Sequence, residues 1–274
     1  MQRFRFKVEY IGSQFAGWQI QPEQITVQGE LEKAFKTCLR EDITVFGAGR
    51  TDAGVHALGQ VAHFDCKTDL DLRKVERSIN ALTSDAVCIR DLEPCAPDFH
   101  ARFSAQSRLY RYRIALRPTA LYQAISWYHG YPLDLDLFSA SLSQALGQHD
   151  FNAFSVPRED GKSTVCNLLQ AKIERGSLGG SRVEVSTRTG SISSSSMAEI
   201  IDQDFFIITI EADRFLHKMV RSLVGASFDV ARGALPFGLI PNILSGNFSG
   251  ERTWAPAKGL CLEEVKYDQE NAKK

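Results

Sequence analysis

Residues 3 to 10 place Phe4, Phe6, Val8 and Tyr10 on one side and Arg3, Arg5, Lys7 and Glu9 on the other. A repeat of two sends alternate side chains to opposite faces of an extended chain, so this stretch predicts a half-buried strand. Leu31, Phe35, Cys38 and Leu39 then fall at i, i+4, i+7 and i+8, the stripe of an amphipathic helix, with Thr26 as its cap. Ile43 to Phe46 and Gln60 to Cys66 read as strands, and glycines 47, 49, 54 and 59 mark a constrained loop around the segment that joins them. Leu72, Val75, Ile79 and Leu82 form a second helical stripe, started by Asp69 or Asp71.

Residues 110 to 116 alternate again, and Phe138, Leu142, Ala145 and Leu146 predict a third helix ending at Gly147. Val183 and Val185, and then residues 205 to 211, read as strands separated by a polar segment whose Ser-rich part, residues 190 to 196, reads as a surface loop. A fourth helix is expected from about Asp213 to Arg232, with Phe215, Leu216, Met219, Val220, Leu223 and Val224 on its apolar face and Asp213, His217 and Arg221 on another. Residues 260 to 267 close the pattern as a strand. Helices and strands thus come in two successive sets, 1–105 and 106–274. The expected class is α/β of the α+β kind, and short connections favour a mainly antiparallel sheet. No internal repeat aligns.

Hydrophobic residues make up 43% and charged residues 24% of the 274, which is ordinary globular usage and favours neither a disordered nor a fibrous chain. No run reaches the roughly 18 apolar residues of a membrane span, and the first residues do not resemble a signal peptide, so a cytoplasmic protein without membrane contact is expected. The six cysteines, at 38, 66, 88, 95, 166 and 261, lack the spacing of a zinc site, and reduced thiols suit that compartment. Formal charge is −1, so any nucleic-acid signal must be local. One such signal exists: residues 99 to 117 carry Arg102, Arg108, Arg111, Arg113 and Arg117 and no acid, interleaved with Phe103, Tyr110 and Tyr112. These arginines, with Lys218, are expected to contact phosphates, which position RNA without reading its sequence.

The segment Gly49-Arg50-Thr51-Asp52-Ala53-Gly54-Val55-His56 sets an ionisable pair on a glycine-bounded loop. Arg50 and Asp52 either fix the loop as an ion pair or present a nucleophilic carboxylate held charged by guanidinium groups. His56, His63, His100 and His217 read as structural or RNA-facing, because no cysteine or serine motif pairs with them. Gly161-Lys162-Ser163 is not a phosphate loop, since Val156 stands where that motif needs glycine. Asp52 and Asp65 as a glycosidase pair is a remote alternative.

Taken together, YIGSQFAGWQIQP, VFGAGRTDAGVHALGQVAHF, DFHARFSAQSRLYRYRI, FLHKMVRSLVG and APAKGLCLEEVKY, in that order, resemble the TruA-type transfer-RNA pseudouridine synthases over nearly the whole chain. The resemblance implies the pseudouridine-synthase fold, in which two similar halves form one extended, mainly antiparallel sheet flanked by helices, with a central active-site cleft. It also implies isomerisation of uridine at positions 38, 39 and 40 of the tRNA anticodon stem-loop, by a homodimer, with no metal and no organic cofactor. On this resemblance Asp52 is the catalytic aspartate, Tyr110 stacks on the target base, Arg221 pairs with the aspartate, and Arg50 supports the loop and a nucleotide phosphate. Two other readings use the same residues: a catalytically silent RNA-binding protein, and an RNA or nucleoside hydrolase using Asp52.

The chain departs from the family pattern in three places. Lys162-Ser163-Thr164-Val165 stands where relatives carry an arginine, and Cys261 stands where they commonly carry tyrosine. These changes put one RNA contact and one packing or RNA contact in doubt. Residues 176 to 203 form a longer connection than in relatives, expected to project away from the sheet.

Overall fold

The structure, a computed structural model, describes residues 1–67, 70–156, 161–176 and 205–268. Strand β1 (Gln2–Tyr10) follows the alternation of its sequence, burying Phe4, Phe6, Val8 and Tyr10. Its charged side chains are matched on neighbouring strands, with Arg3 on Asp65 at 2.7 Å, Arg5 on Glu93 at 2.6 Å and Arg90 on Glu9 at 2.7 Å. Helix α1 (Val27–Leu39) starts where the Thr26 side chain accepts the Gly29 N–H, and it lays Leu31, Ala34 and Phe35 on the sheet. Phe35 meets Phe64 at 4.6 Å between ring centroids and Phe6 at 5.5 Å, an aromatic centre for this end of the core. Helix α2 (Leu72–Leu82) is capped by Asp71, the second of its two expected starts; Asp69 lies outside the described residues.

The remaining elements are β2 (Phe46–Gly47), β3 (His56–Cys66), β4 (Val87–Pro94), β5 (Ala105–Ala115), β6 (Trp127–Tyr128), α3 (Leu135–Ser143), β7 (Gly147–Asp150), β8 (Val165–Gly176), β9 (Phe205–Ala212), α4 (Met219–Ala231), α5 (Leu239–Leu244) and β10 (Leu260–Tyr267). They make a mixed ten-stranded sheet flanked by helices, ordered β4-β1-β3-β10-β5-β9-β8-β7, with β2 on β3 and β6 on β5. Among the described residues, the parallel pairings are β3 with β10 and β5 with β6. Strands from before residue 105 lie at one end of the sheet and strands from after it at the other. Strand β10 is the seam, with Cys261 opposite His56 on one edge and Arg111 on the other.

Several expectations shift. The helix expected from Asp213 begins only at Met219, because the Asp213 carboxylate accepts the N–H groups of Asn167 and Arg214 and Lys218 takes a left-handed turn at φ 62°. A side chain that bonds nearby backbone competes with the helix ladder, so the shared face of Asp213, His217 and Arg221 does not exist as a helix face. Helix α3 stops at Ser143, short of Gly147, which instead opens β7 at φ 94°. The strand expected at Ile43 to Phe46 is reduced to Phe46–Gly47, although Ile43 and Val45 are buried. Val183, Val185 and the Ser-rich segment lie outside the described residues. Among the described residues, no helix is long and apolar enough to cross a membrane.

Candidate active site

Asp52 sits on the loop between β2 and β3, and that loop is tied down along its length. Ala48 donates its N–H to Val61, the Gln60 side chain donates to the Gly49 carbonyl at 2.7 Å, and Trp18 donates its N–H to the Thr51 carbonyl. The Tyr10 hydroxyl bonds the Thr51 hydroxyl at 2.8 Å in the buried layer beneath. Two glycines let the backbone close up here: Gly17 has φ 105°, and a Cβ on it would lie 2.7 Å from the Thr51 oxygen, while Gly54 has φ 81°. Fixing the backbone fixes where the carboxylate points.

The Asp52 side chain is 15% exposed and has a different partner on each oxygen. Arg221 donates from Nη1 to Oδ2 at 3.3 Å, and His217 Nε2 lies 3.2 Å from Oδ1. Arg221 is itself clamped, because its Nε donates to the Ala255 carbonyl at 2.8 Å and its own carbonyl accepts the Ala255 N–H at 3.1 Å. The 253–256 segment is held in turn by buried Asp229, whose carboxylate accepts from the Thr253 N–H, the Thr253 hydroxyl and the Arg232 guanidinium. A chain of polar contacts therefore runs from the buried face of α4 to the carboxylate.

Tyr110, from β5, is 8% exposed, and its ring meets Phe215 edge-on at 5.1 Å. Burial, with the Asp52 charge as a second cause, pushes its hydroxyl well above the usual tyrosine range, so it stays protonated. Asp52, Tyr110, His217 and Arg221 all line one cleft of about 1130 Å³ between the two ends of the sheet. Its walls carry seven basic residues (Arg50, Arg102, Arg108, Lys162, Arg214, Lys218 and Arg221) against the acids Asp52 and Asp213. A chain of net charge −1 has gathered its positive charge where an anionic polymer would lie.

The structure sorts the expected residues. Asp52, Tyr110 and Arg221 come together. Arg50 faces the same cleft and is exposed, but it makes no ion pair with Asp52; the carboxylate's partners are Arg221 and His217. The arginine-rich stretch is not a uniform phosphate-binding surface. Arg108 donates to the carbonyls of Ala48, Arg102 and Asp213, and Arg113 is buried against Glu263 at 2.8 Å. These two guanidiniums are consumed by the protein. Cys261 is 2% exposed on the seam, with burial pushing its thiol up to about 12, so it is a packing residue and not an RNA contact. His56 and His63 are likewise buried, whereas His217 stands beside the carboxylate. His217 lies ahead of α4, so helical spacing does not account for its place beside the carboxylate, and no pattern in the sequence named it as the second partner. Among the described residues no group of three His, Cys, Asp or Glu side chains is placed to hold a metal ion.

Residues 7–104 and 142–268 match the sequence model of the tRNA pseudouridine synthase family. The chain is 36% identical to tRNA pseudouridine synthase A of Chlorobium luteolum over 269 residues, covering 97% of this chain and 96% of that protein. It is 35% identical to tRNA pseudouridine synthase A of Brevibacillus brevis, covering 97% and 100%, and 38% identical to that of Frankia casuarinae, covering 97% and 89%. With likeness running the length of both partners and a clamped aspartate at the centre of the cleft, the chain belongs to the TruA-type tRNA pseudouridine synthase family.

Proposed function

We propose that the protein isomerises uridine to pseudouridine in transfer RNA, at positions 38, 39 and 40 of the anticodon stem-loop, with Asp52 as the attacking carboxylate. The observation that carries this reading is the Asp52 side chain, 15% exposed on the cleft floor and held from both oxygens by Arg221 and His217. The reaction breaks the bond from C1′ to N1, forms one from C1′ to C5, and moves the C5 proton to another site, so the product is an isomer and nothing is released. Addition of the carboxylate to C6, attack on the ribose, and deprotonation of the ribose all begin from ionised Asp52. Arg221 holds one oxygen and leaves the other, shared only with half-exposed His217, for the nucleoside. Tyr110 supplies a ring to stack on the target base and a protonated hydroxyl beside it, and Arg50 supplies an exposed cation for a flanking phosphate.

The two parts of the chain, 1–105 and 106–274, meet at this cleft and each contributes to it, Asp52 from the first and Tyr110 and Arg221 from the second. A cytoplasmic homodimer completes the proposal, checked by light scattering for twice the 30.5 kDa chain mass. The deciding experiment incubates the protein with unmodified tRNA, maps pseudouridine chemically, and repeats the measurement with Asp52→Ala. The wild type is expected to modify positions 38 to 40, and the variant to bind tRNA but make no product. Free uracil in solution would instead mark a hydrolase, and binding without product in the wild type a silent RNA-binding protein.

A further inference from the structure

Phe103 is 77% exposed, the most exposed aromatic ring among the described residues, yet it is rigidly presented. The turn that carries it is closed by the Ser104 N–H on the His100 carbonyl at 2.9 Å and by the His100 N–H on the Ser104 hydroxyl at 2.9 Å. His100 Nδ1 accepts the N–H groups of Arg102 at 3.1 Å and Phe103 at 3.4 Å. The His100 ring lies 4.4 Å from Phe103, and His63 lies 4.7 Å beyond it, stacked on the half-exposed ring of Phe46. Burial pushes both imidazoles down, His63 to about 4. Arg108 bridges this frame to the catalytic loop, donating to the carbonyls of both Arg102 and Ala48.

A single exposed ring is ordinary on a protein surface, but Phe103 is held by a hydrogen-bonded turn and faces the cleft. Phe103 lines the same basic cleft as Asp52, and the Arg102 guanidinium lies 5.6 Å from its ring centroid, a cation within reach of a phosphate attached to whatever stacks there. Aromatic rings beside basic side chains in an open groove are the recurring platform for unpaired bases. The target base is assigned to Tyr110, deep in the cleft, so Phe103 is free for another.

We propose that Phe103, backed by His100 and flanked by Arg102, is a stacking platform for a second unpaired nucleobase of the same RNA, distinct from the uridine that reacts. The inference rests on the transfer-RNA reading above. It makes Phe103 a substrate-positioning residue, one that sets which loop nucleotides register with the cleft.

The test measures binding and pseudouridine formation with Phe103→Ala and Phe103→Trp, on an unmodified anticodon stem-loop and on versions carrying one abasic nucleotide at each loop position in turn. Stacking of this kind implies binding weakened about 5- to 100-fold in Phe103→Ala, with saturated turnover within about twofold, and affinity kept or improved in Phe103→Trp. One abasic position should weaken the wild type equally and leave Phe103→Ala no weaker than before. Losses that add at every position, or unaltered affinity in Phe103→Ala while the wild type turns over normally, would overturn the platform and leave the proposed function standing. A Phe103→Ala protein that changes oligomeric state on gel filtration while binding RNA normally would overturn it too, assigning the ring to a second copy of the chain. A wild type that makes no pseudouridine would remove both.

Discussion

Replacing Arg221 by lysine tests whether the fork of the guanidinium, and not only its charge, sets the carboxylate. The side chain is 17% exposed and spends one nitrogen on the Ala255 carbonyl and another on Asp52 Oδ2. A lysine head has a single nitrogen on a flexible stem and cannot hold both acceptors in those directions. A hydrogen bond to a charged group contributes about 1.5 to 3 kcal/mol, and partial exposure of this pair argues for the lower part of that range. At about 1.4 kcal/mol per tenfold in rate, Arg221→Lys should turn over about 10- to 30-fold more slowly under single-turnover conditions. Binding of tRNA should hardly change, because the positive charge stays. Arg221→Ala should lose at least a further factor of about ten, since Asp52 then keeps only His217. Pseudouridine formed within a labelled stem-loop measures each rate. If Arg221→Lys runs within threefold of the wild type, the two-point clamp on Asp52 has no catalytic role.

Other perturbations probe neighbouring parts. Asp229→Ala strips the 253–256 segment of its buried anchor and should cost about 2 to 4 kcal/mol of stability in denaturant unfolding, together with slower turnover through the loosened Ala255–Arg221 clamp; unchanged turnover would uncouple the two. Tyr110→Phe should retain much more activity than Tyr110→Ala if ring stacking dominates, while equal loss would assign the work to the hydroxyl. Folding should weaken in acid because of His63, whose folded value is near 4 against 6.5 ordinarily. Between those values the unfolded chain binds a proton that the folded chain refuses, so stability falls as pH drops from 6.5 to about 4 and then levels, a loss on the order of 3 kcal/mol. Melting curves across this window check it, and His63→Asn, which keeps an acceptor for the Ala101 N–H, should flatten the acid limb.

Where one face of an element is buried along its whole length, the sequence already spelled the element. Strand β1, the Thr26 and Asp71 caps and the span of β10 were legible for that reason. Residues 213 to 218 misled because Phe215 and Leu216 continue a helical stripe in spacing, while the Asp213 side chain turns the backbone aside, and spacing does not register a side-chain bond to backbone. Strand β8 went unread because its burial alternates only near the start and is broken over the rest. The site itself joins Asp52 to Arg221 across 169 positions, and only the resemblance to relatives connected them. Arginine-rich composition likewise could not say that Arg108 and Arg113 turn inward, since a run of charge does not reveal which carbonyls the fold brings near.

Strand β10 is the last described element, yet it lies between β3 and β5 and is the sheet's joint. During synthesis, residues up to Cys66 can pair among themselves and β5 can meet β9, but the two assemblies have no shared strand until residue 267 has cleared the ribosome. Asp52 and Arg221 are therefore brought face to face only after β10 has been made, so a chain cut before residue 260 carries the carboxylate without its clamp.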